Sequence, residues 1–381
     1  MSWVLKLEAG SGDPTRNVAG LPLALRLALD AQGAGASAIV QGKGLDLGDA
    51  LNDPRLSLPV LEAAAEAEAA AGAEAERAGR HPSAATPAPA AVTLYASSVV
   101  HRGLLKAIVE AGAHLPGIDL RTQSFPHPVP WGFEPFEVTD KPSRVRAERA
   151  LFRALRKPQD GWTSRYLNRY ISLAISRWLV KTPLSPNQVS VGILALGIAG
   201  GLIATRGDYW SLVLGAFLFQ SQSVLDGCDG EMSRITYRGS LLGEWLDTVG
   251  DDLTNYGFFA GSAWGLYSYT ENTIYLVAGL VTVCCGLLAS GLEYRYLYRI
   301  GSGDLLKYPL SQSTSSNSGV MGLIGPLFKR DTFVFLTLIA ALLGQVGPML
   351  IAFALAAVGI VIGVISTELR LMREAKSGVK R

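Results

Sequence analysis

The chain has 381 residues, of which 49% are hydrophobic, and its 34 basic and 32 acidic residues leave a formal net charge of +2. This length accommodates one membrane domain and one soluble domain, and the near-neutral charge without a basic, aromatic-rich stripe excludes a nucleic-acid partner. The three cysteines have no spacing that suits a zinc site or a disulfide framework, so we expect them to serve packing.

Residues 1–143 predict a soluble α/β domain, because short apolar runs alternate with helical patterns. No charged region followed by a signal-like apolar core occurs at the start, which predicts that this domain stays in the cytoplasm. The predicted helices span 21–30, 62–77 and 103–112, with a loose Pro/Ala connector at 81–91. The predicted strands are Val4–Leu7, Ala38–Gln41 and Val92–Tyr95.

A glycine-containing loop follows the first predicted strand. Gly10 and Gly12, with Arg16 nearby, have part of the composition of a phosphate-binding loop, but a few glycines near an arginine are weak evidence for one. The histidines lie at irregular spacing, so we predict no metal site from them. They are His81, His101, His114 and His127.

Residues 144–186 are predicted to form a connector and a juxtamembrane helix. Between Trp162 and Lys181, basic, aromatic and apolar residues recur at helical spacing, which is typical of an amphipathic helix lying in the membrane interface. An ordinary soluble amphipathic helix is the alternative. The interfacial interpretation is favoured because the turn at 182–187 leads directly into an apolar run.

Residues 187–381 predict six transmembrane helices, since about 20 apolar residues are enough for one span. The last apolar stretch, 332–366, is too long for one span and is interrupted at Gly344–Pro348, which predicts a tight hairpin of two. The predicted fold is therefore a six-helix integral membrane bundle with a juxtamembrane helix and an N-terminal α/β domain. The first four spans are 188–205, 209–225, 243–267 and 273–292.

Positive charge is unevenly distributed between the two ends of this predicted bundle. One end carries twelve Lys and Arg, whereas the loops at the other end carry only Arg206. The positive-inside rule places the richer end and both termini in the cytoplasm, which predicts a multi-pass protein of the cell (inner) membrane. The twelve are Arg234, Arg238, Arg295, Arg299, Lys307, Lys329, Arg330, Arg370, Arg373, Lys376, Lys380 and Arg381.

The most informative segment joins the second and third predicted spans in the pattern D-x2-D-G-x2-S-R-x8-G-x3-D-x3-D. On helices, Asp226 and Asp229 are i, i+3 neighbours, and Asp247 and Asp251 are i, i+4 neighbours, so each pair shares a face. Acids near lipid are costly unless they are paired or metal-bound. Four carboxylates on two facing helices suit one or two hard divalent ions such as Mg²⁺ or Mn²⁺. Polar residues lining a water-filled cavity are the alternative.

This spacing resembles the signature of the CDP-alcohol phosphotransferase (CDP-alcohol phosphatidyltransferase) family of integral membrane enzymes, with Ser233 in place of the usual alanine. The resemblance implies a metal-dependent transferase that moves a phospho-alcohol group from a CDP-alcohol to an acceptor hydroxyl and releases CMP. It implies Asp226, Asp229, Asp247 and Asp251 as metal ligands. It also assigns Asp251 as the base that takes the proton from the acceptor hydroxyl.

The resemblance also suggests substrate contacts and partners. The expected partners are a CDP-alcohol donor, an alcohol or lipid acceptor and membrane lipid, and a homodimer is a candidate assembly. The candidate nucleotide contacts are Gly230, Ser233 and Gly243, which would leave room, and Arg234, which would offset phosphate charge. The candidate contacts for an acceptor phosphate, which positive-inside charge explains equally well, are Lys307, Lys329 and Arg330.

Within the family, the chain looks most like the subgroup that makes inositol phosphodiesters from CDP-inositol, through Lys157–Arg169, Pro186–Val189 and Lys329–Asp331. Some members of this subgroup fuse a cytidylyltransferase to the membrane domain, and Gly20–Arg26 resembles the helix after its phosphate loop. The loop of this chain lacks a convincing phosphate cradle, so we expect a degenerate, non-catalytic domain. The alternatives are a phospholipid synthase that uses CDP-diacylglycerol and a polar alcohol, and a catalytically inactive membrane scaffold.

Overall fold

The computed structural model describes residues 3–62, 90–110, 118–122, 133–156, 161–310 and 329–376. The chain divides into two compact units. The first is Met1–Leu155 with Ile235–Tyr237, and the second is Arg156–Arg234 with Arg238–Arg381. The predicted domain end at residue 143 falls inside a helix of the first unit.

Some predictions concern residues outside the described ranges. These are nearly all of the predicted helix at 62–77, most of the Pro/Ala connector and the segment 157–160, together with His81, His114, His127, Lys380 and Arg381.

The first unit is built on a parallel sheet, which confirms the predicted α/β class. Its strands and short bridges are β1 Trp3–Glu8, β2 Asn17–Val18, β3 Leu21–Pro22, β4 Ala38–Gln41, β5 Val60–Glu62, β6 Ala90–Tyr95, β7 Ser98–Val99, β8 Ile118–Asp119 and β9 Phe136–Glu137. Five of them form one sheet in the order β5-β4-β1-β6-β8, with every neighbouring pair parallel. In the centre, Leu5 lies beside Ile39 on one side and Val92 on the other, and all three are buried.

The helices of the first unit are α1 Leu23–Gly33, α2 Arg102–Glu110 and α3 Lys141–Arg153. Helix α1 packs on the sheet through Ala24, Leu27, Ala28 and Ala31, which recur on one helical face. The predicted start at residue 21 lies two residues early, because Leu21–Pro22 pairs with β2 as an antiparallel bridge.

The order of the sheet reverses beside β1. The chain passes from β1 to β4 on one side and returns to β6 on the other side. In a doubly wound sheet such a reversal leaves a crevice outside the carboxyl ends of the two central strands, and ligands bind there. The loop after β1 and the residues after β6 therefore flank the crevice of this unit.

The second unit is helical throughout its regular elements in the described residues. The helices are α4 Arg169–Leu179, α5 Pro186–Ala204, α6 Tyr209–Leu225, α7 Gly227–Thr236, α8 Leu241–Thr270, α9 Thr273–Ile300, α10 Arg330–Leu342 and α11 Val346–Lys376. A short π-helical segment, Ser164–Asn168, precedes α4.

Three of the described helices have the length and apolar composition needed to cross a membrane: α5, α9 and the part of α11 from Val346 to Arg373. The other three predicted spans fall on α6, α8 and α10, which have 17, 30 and 13 residues. That α6, α8 and α10 cross a membrane remains a prediction. The predicted interruption of the last apolar stretch is present, because α10 ends at Leu342 and Gly344 has a left-handed φ of +68° before α11 begins.

Glycines allow α5 to lie very close to two other helices. A Cβ at Gly200 would be 2.9 Å from the carbonyl oxygen of Gly215 in α6. A Cβ at Gly201 would be 2.8 Å from the carbonyl oxygen of Gly257 in α8. Small residues of this kind let helix backbones approach each other inside a bilayer. Helix α5 thereby lies against the middle of α6 and the middle of α8.

Candidate active site

Three of the four motif aspartates converge where α6 ends and α8 begins. Asp226 follows the last residue of α6, and Asp247 and Asp251 lie one turn apart on α8. One carboxylate oxygen of each lies within 4.8 Å of the others. Asp226 and Asp251 are half-buried and Asp247 is exposed, so the cluster is open on one side. We call these three residues the acidic cluster.

Asp229 does not join the acidic cluster in this structure. Its carboxylate accepts hydrogen bonds from the Ser190 hydroxyl on α5 and from the Gly230 amide. Burial, with repulsion from Asp226 as the second cause, raises the pKa of the Asp229 carboxyl to about 6. Helix α6 ends at Leu225 and α7 begins at Gly227, so the predicted i, i+3 pair lies across a helix junction.

Arg330, at the start of α10, is the cation paired with the acidic cluster. Its Nη1 lies 2.8 Å from Asp251 Oδ1 and 3.5 Å from Asp226 Oδ2. The sequence predicted Arg330 as a contact for an acceptor phosphate. The structure places it against the acids.

Neutral side chains fix the Arg330 guanidinium from the other side. Its Nη2 donates to Gln222 Oε1 at 2.6 Å and to Thr254 Oγ1 at 3.2 Å, and its Nε donates to Asn255 Oδ1 at 3.2 Å. Gln222 and Thr254 meet because Gly197 of α5 has no side chain. A Cβ at Gly197 would overlap the methyl group of Thr254 and lie 3.1 Å from Gln222 Cγ.

Sequence reasoning missed Gln222 and its role. The signal available was a polar run, Gln220 to Ser223, at the end of an otherwise apolar helix. Gln222 is buried, and a buried amide in such a helix requires a partner.

Glu231, inside the motif, is a second residue that sequence reasoning missed. Its side chain is fully buried and accepts from Arg169 Nη1 at 2.7 Å, from the Ser172 hydroxyl at 2.8 Å and from the Ser176 hydroxyl at 2.7 Å. All three donors belong to the juxtamembrane helix α4. Glu231 therefore ties that helix to α7, two residues after Asp229.

The predicted juxtamembrane helix is present, and its polar and aromatic faces are now defined. The face with Ser172 and Ser176 is buried against Glu231. The aromatic residues lie on the outside, where they are available to a membrane interface. Their exposed fractions are 72% for Trp162, 69% for Tyr166, 57% for Tyr170 and 66% for Trp178.

The predicted nucleotide contacts lie on α7 and the first turn of α8. A Cβ at Gly230 would be 3.4 Å from Arg234 Nη1, so this guanidinium lies over Gly230. Ser233 is half-buried on α7. Gly243 donates its amide to the Ser240 side chain, which caps α8.

The other two predicted acceptor contacts lie in connecting segments. Lys307 ends a short 3-10 helix and its Nζ donates to the Ser302 hydroxyl at 2.8 Å. Glu244 on α8 accepts from the Ser302 hydroxyl and from the Gly303 amide, both at 3.0 Å, and so holds this loop. Lys329 precedes α10 as its N-cap residue.

The acidic cluster fits a hard divalent cation. Its donor set consists of carboxylate oxygens, which suit Mg²⁺ or Mn²⁺ and do not favour a soft metal. Asp251 Oδ1 is buried and has no hydrogen bond from the described residues, although Arg330 is near enough for an ion pair. A buried carboxylate oxygen that lies beside two further acids, with one guanidinium as its ion-pair partner, is a position that a divalent cation stabilises further.

Comparisons with known proteins give the family of this segment. Residues 184–365 match the model of the CDP-alcohol phosphatidyltransferase family. The chain is 39% identical over 126 residues to a bifunctional IPC transferase and DIPP synthase of Aquifex aeolicus, covering 32% of this chain and 28% of that protein. It is 35% identical over 159 residues to the protein of the same description in Thermococcus kodakarensis, covering 41% and 35%. The chain thus spans about a third of the length of these curated relatives.

Among solved structures, the chain is similar to Mycobacterium tuberculosis phosphatidylinositol phosphate synthase with CDP-DAG bound. The identity is 19% and the TM-score is 0.40, over 52% of this chain and 93% of that one. The family match itself includes the ends of α6 and α8 that carry the acidic cluster, and Arg330 on α10. Residues 184–365 are therefore a domain of the CDP-alcohol phosphatidyltransferase family.

Proposed function

We propose that this chain transfers a phospho-alcohol group from a CDP-alcohol to an acceptor hydroxyl, with release of CMP and with a requirement for Mg²⁺ or Mn²⁺. The observation that carries the proposal is the convergence of Asp226, Asp247 and Asp251 within 4.8 Å inside the matched segment. When bound there, one or two divalent ions would neutralise pyrophosphate oxygens and stabilise CMP as the leaving group.

The side chains around the cluster have separate roles in this proposal. Asp226 and Asp247 hold the ion, and Asp251 both contacts it and takes the proton of the acceptor hydroxyl. Asp229 is proposed as a further ligand, which requires exchange of its hydrogen bond with Ser190. Arg330 forms an ion pair with Asp251 and offers a guanidinium to substrate phosphate.

The proposed nucleotide contacts are on α7 and at the start of α8. Arg234 offsets phosphate charge beside Gly230, where the missing side chain leaves room, and Ser233 and Gly243 are small residues that leave room for the nucleotide as well. Lys307 and Lys329 are proposed as contacts for an acceptor phosphate, together with Arg330.

The membrane half is proposed to contain six spans, with α6, α8 and α10 added to the three apolar helices. Both termini and the acidic cluster would then face the cytoplasm, as the positive-inside distribution predicts. A cytosolic nucleotide donor reaches the cluster from that side. The α/β unit is proposed to be a non-catalytic relative of cytidylyltransferases.

The donor is proposed to be CDP-inositol, on the basis of the resemblance in Lys329–Asp331 and Pro186–Val189 and of the similarity to bifunctional IPC transferases and DIPP synthases. The test is to incubate the purified chain with CDP-inositol and with CDP-diacylglycerol separately. Each donor is combined with inositol phosphate, with inositol or with a diradylglycerol lipid. Products are identified by mass spectrometry and CMP is quantified.

We expect CMP release with CDP-inositol and its loss in Asp226→Asn, because the cluster loses a charged ligand. Asp208→Asn is the matched control, since Asp208 caps α6 at its other end and asparagine caps a helix as well as aspartate does. Products from CDP-diacylglycerol alone would assign the phospholipid synthase activity. If no donor gives CMP release, the alternative of a catalytically inactive membrane scaffold is favoured.

A further inference from the structure

The glycine-containing loop of the first unit already holds an anion, the carboxylate of Glu137. Its Oε1 accepts a hydrogen bond from the Gly12 amide at 2.7 Å and one from the Ser97 hydroxyl at 2.6 Å. Its Oε2 accepts from the Ser11 hydroxyl at 2.9 Å. Two donors come from the loop after β1, and the third comes from the segment that follows β6.

The location of this carboxylate is the crevice of the sheet. Strands β1 and β6 are parallel neighbours at the point where the strand order reverses, and Glu8 is in register with Tyr95 at their ends. Ligand phosphates in doubly wound sheets bind at this edge, held by amides and hydroxyls of the loops there. Amides and hydroxyls of this kind are occupied here by a side chain of the same protein.

The backbone around Glu137 is held against the loop. Strand β9 pairs with β7, which places Glu137 opposite Ser98, and the Val138 amide donates to the Ser97 carbonyl at 3.0 Å. A Cβ at Gly10 would overlap Glu137 Oε1, and a Cβ at Gly12 would overlap the carbonyl oxygen of Val138. The two glycines are therefore explained by the close approach of β9.

The hydrogen bonds favour the ionised form of Glu137. Partial burial alone raises the pKa of a carboxyl, but the hydrogen bonds from Ser97, Gly12 and Ser11 outweigh it and lower the pKa of Glu137 below its usual value. The group in the crevice is a carboxylate at neutral pH, and its charge and acceptor geometry are similar to those of a phosphate oxygen pair.

We propose that this crevice is an anion site whose resident ligand is the Glu137 carboxylate, and that removing the carboxylate opens the site to phosphate-type anions such as pyrophosphate. The proposal concerns the first unit and does not depend on the transferase function of the second. It assigns Glu137 as the group that excludes a nucleotide phosphate from the loop.

The experiment titrates full-length protein in detergent with pyrophosphate by calorimetry. A chelator is present throughout, so that the acidic cluster of the other unit holds no divalent ion. Glu137→Ala is compared with the wild type, with Glu137→Gln, which keeps the shape of the side chain, and with Glu62→Ala, an exposed carboxylate on the edge strand β5 of the same sheet.

We expect Glu137→Ala to bind pyrophosphate at least ~10-fold more tightly than the wild type, because three released donors would take charge-assisted hydrogen bonds. Glu137→Gln and Glu62→Ala should stay at the wild-type level. Equal binding by the wild type and Glu137→Ala, whether strong or absent, would overturn the proposal.

Amide hydrogen exchange at Gly12 gives a second measurement, which tests the hydrogen bond to Glu137 in the wild type as well as in the variants. The Gly12 amide should be protected in the wild type, exchange faster in Glu137→Gln and Glu137→Ala, and regain protection in Glu137→Ala when pyrophosphate is added. A freely exchanging Gly12 in the wild type would contradict the proposal. If Glu137→Ala does not fold, unchanged exchange in Glu137→Gln would contradict it as well.

Discussion

Asp251 combines a buried oxygen that has no hydrogen bond from the described residues with an ion pair of 2.8 Å to Arg330. Asp251→Asn preserves its size and removes its capacity to accept a proton. We expect turnover to fall by a factor of about 100 or more, the range that general base catalysis supplies, while nucleotide binding persists. CMP release and CDP-alcohol binding are measured on the same preparation, with Asp208→Asn as the control. Near-normal CMP release from Asp251→Asn would show that the base is another residue.

Arg330 offsets the repulsion among the carboxylates of the cluster. Replacing it in Arg330→Gln leaves Asp226 and Asp251 without their ion pairs. A divalent cation should then stabilise the variant more than it stabilises the wild type. We expect the rise in melting temperature on adding Mn²⁺ to be larger for Arg330→Gln than for the wild type. The exposed Arg238 provides the control Arg238→Gln, which should respond as the wild type does. An equal or smaller rise in Arg330→Gln would contradict the expectation that Arg330 and a divalent cation offset the same carboxylate charges.

At the scale of single elements, helix α5 is the part whose packing the site requires. A methyl group in Gly201→Ala would have to lie 2.8 Å from the carbonyl oxygen of Gly257, so α5 and α8 must separate. We expect a loss of about 1–3 kcal/mol of unfolding free energy, typical of overpacking, together with a loss of activity. On the same helix, a Cβ at Gly192 meets nothing within 4 Å. Gly192→Ala should therefore keep activity and melt no lower than the wild type, and equal melting of the two variants would refute this account of α5.

The juxtamembrane helix depends on one buried carboxylate. Glu231→Ala removes the partner of Arg169 and of two buried hydroxyls. Removing one partner of a buried ion pair typically costs about 3–5 kcal/mol, because the remaining charge loses its buried counter-ion. We expect Glu231→Ala to expose α4 to limited proteolysis at a lower temperature than the wild type. The double variant with Arg169→Met, which removes both charges of the ion pair, should recover part of the loss. No recovery would mean that the ion pair is not the cause.

Local patterns predicted the elements well and the long-range contacts poorly, for a physical reason. The predicted span 209–225 matches α6 residue for residue, since a run of apolar residues ends at the first turn that carries charge. Helical spacing also places Asp247 and Asp251 together. Spacing does not reveal that the hydroxyl of Ser190, 39 residues earlier in the chain, donates a hydrogen bond to Asp229. It also does not reveal that Glu137 accepts a hydrogen bond from an amide 125 residues earlier. Those partners are set by packing between elements, which leaves no periodic signal.

For the whole molecule, we expect one active site, located in the second unit. Full-length protein given CTP and a phosphorylated alcohol should release no pyrophosphate, because the crevice of the first unit is filled by Glu137. The same preparation should release CMP when it is given a CDP-alcohol. This CMP release should stop in excess chelator and recover when Mg²⁺ or Mn²⁺ is added. Zn²⁺ should restore little activity, because the site consists of carboxylates. Pyrophosphate release that Ser97→Val abolishes would reveal a working cytidylyltransferase.

The order of the charged residues along the chain has a consequence for biosynthesis. Asp226, Asp247 and Asp251 leave the ribosome well before Arg330, which belongs to a helix near the C-terminus. Helices α5, α6 and α8 are therefore complete while the guanidinium that faces the acids is still untranslated. A nascent chain stalled between α9 and α10 holds the three crowded carboxylates before Arg330 is available to pair with Asp226 and Asp251. At that stage the repulsion among the acids precedes the residue that relieves it, and a bound divalent cation would offset the repulsion in the interval.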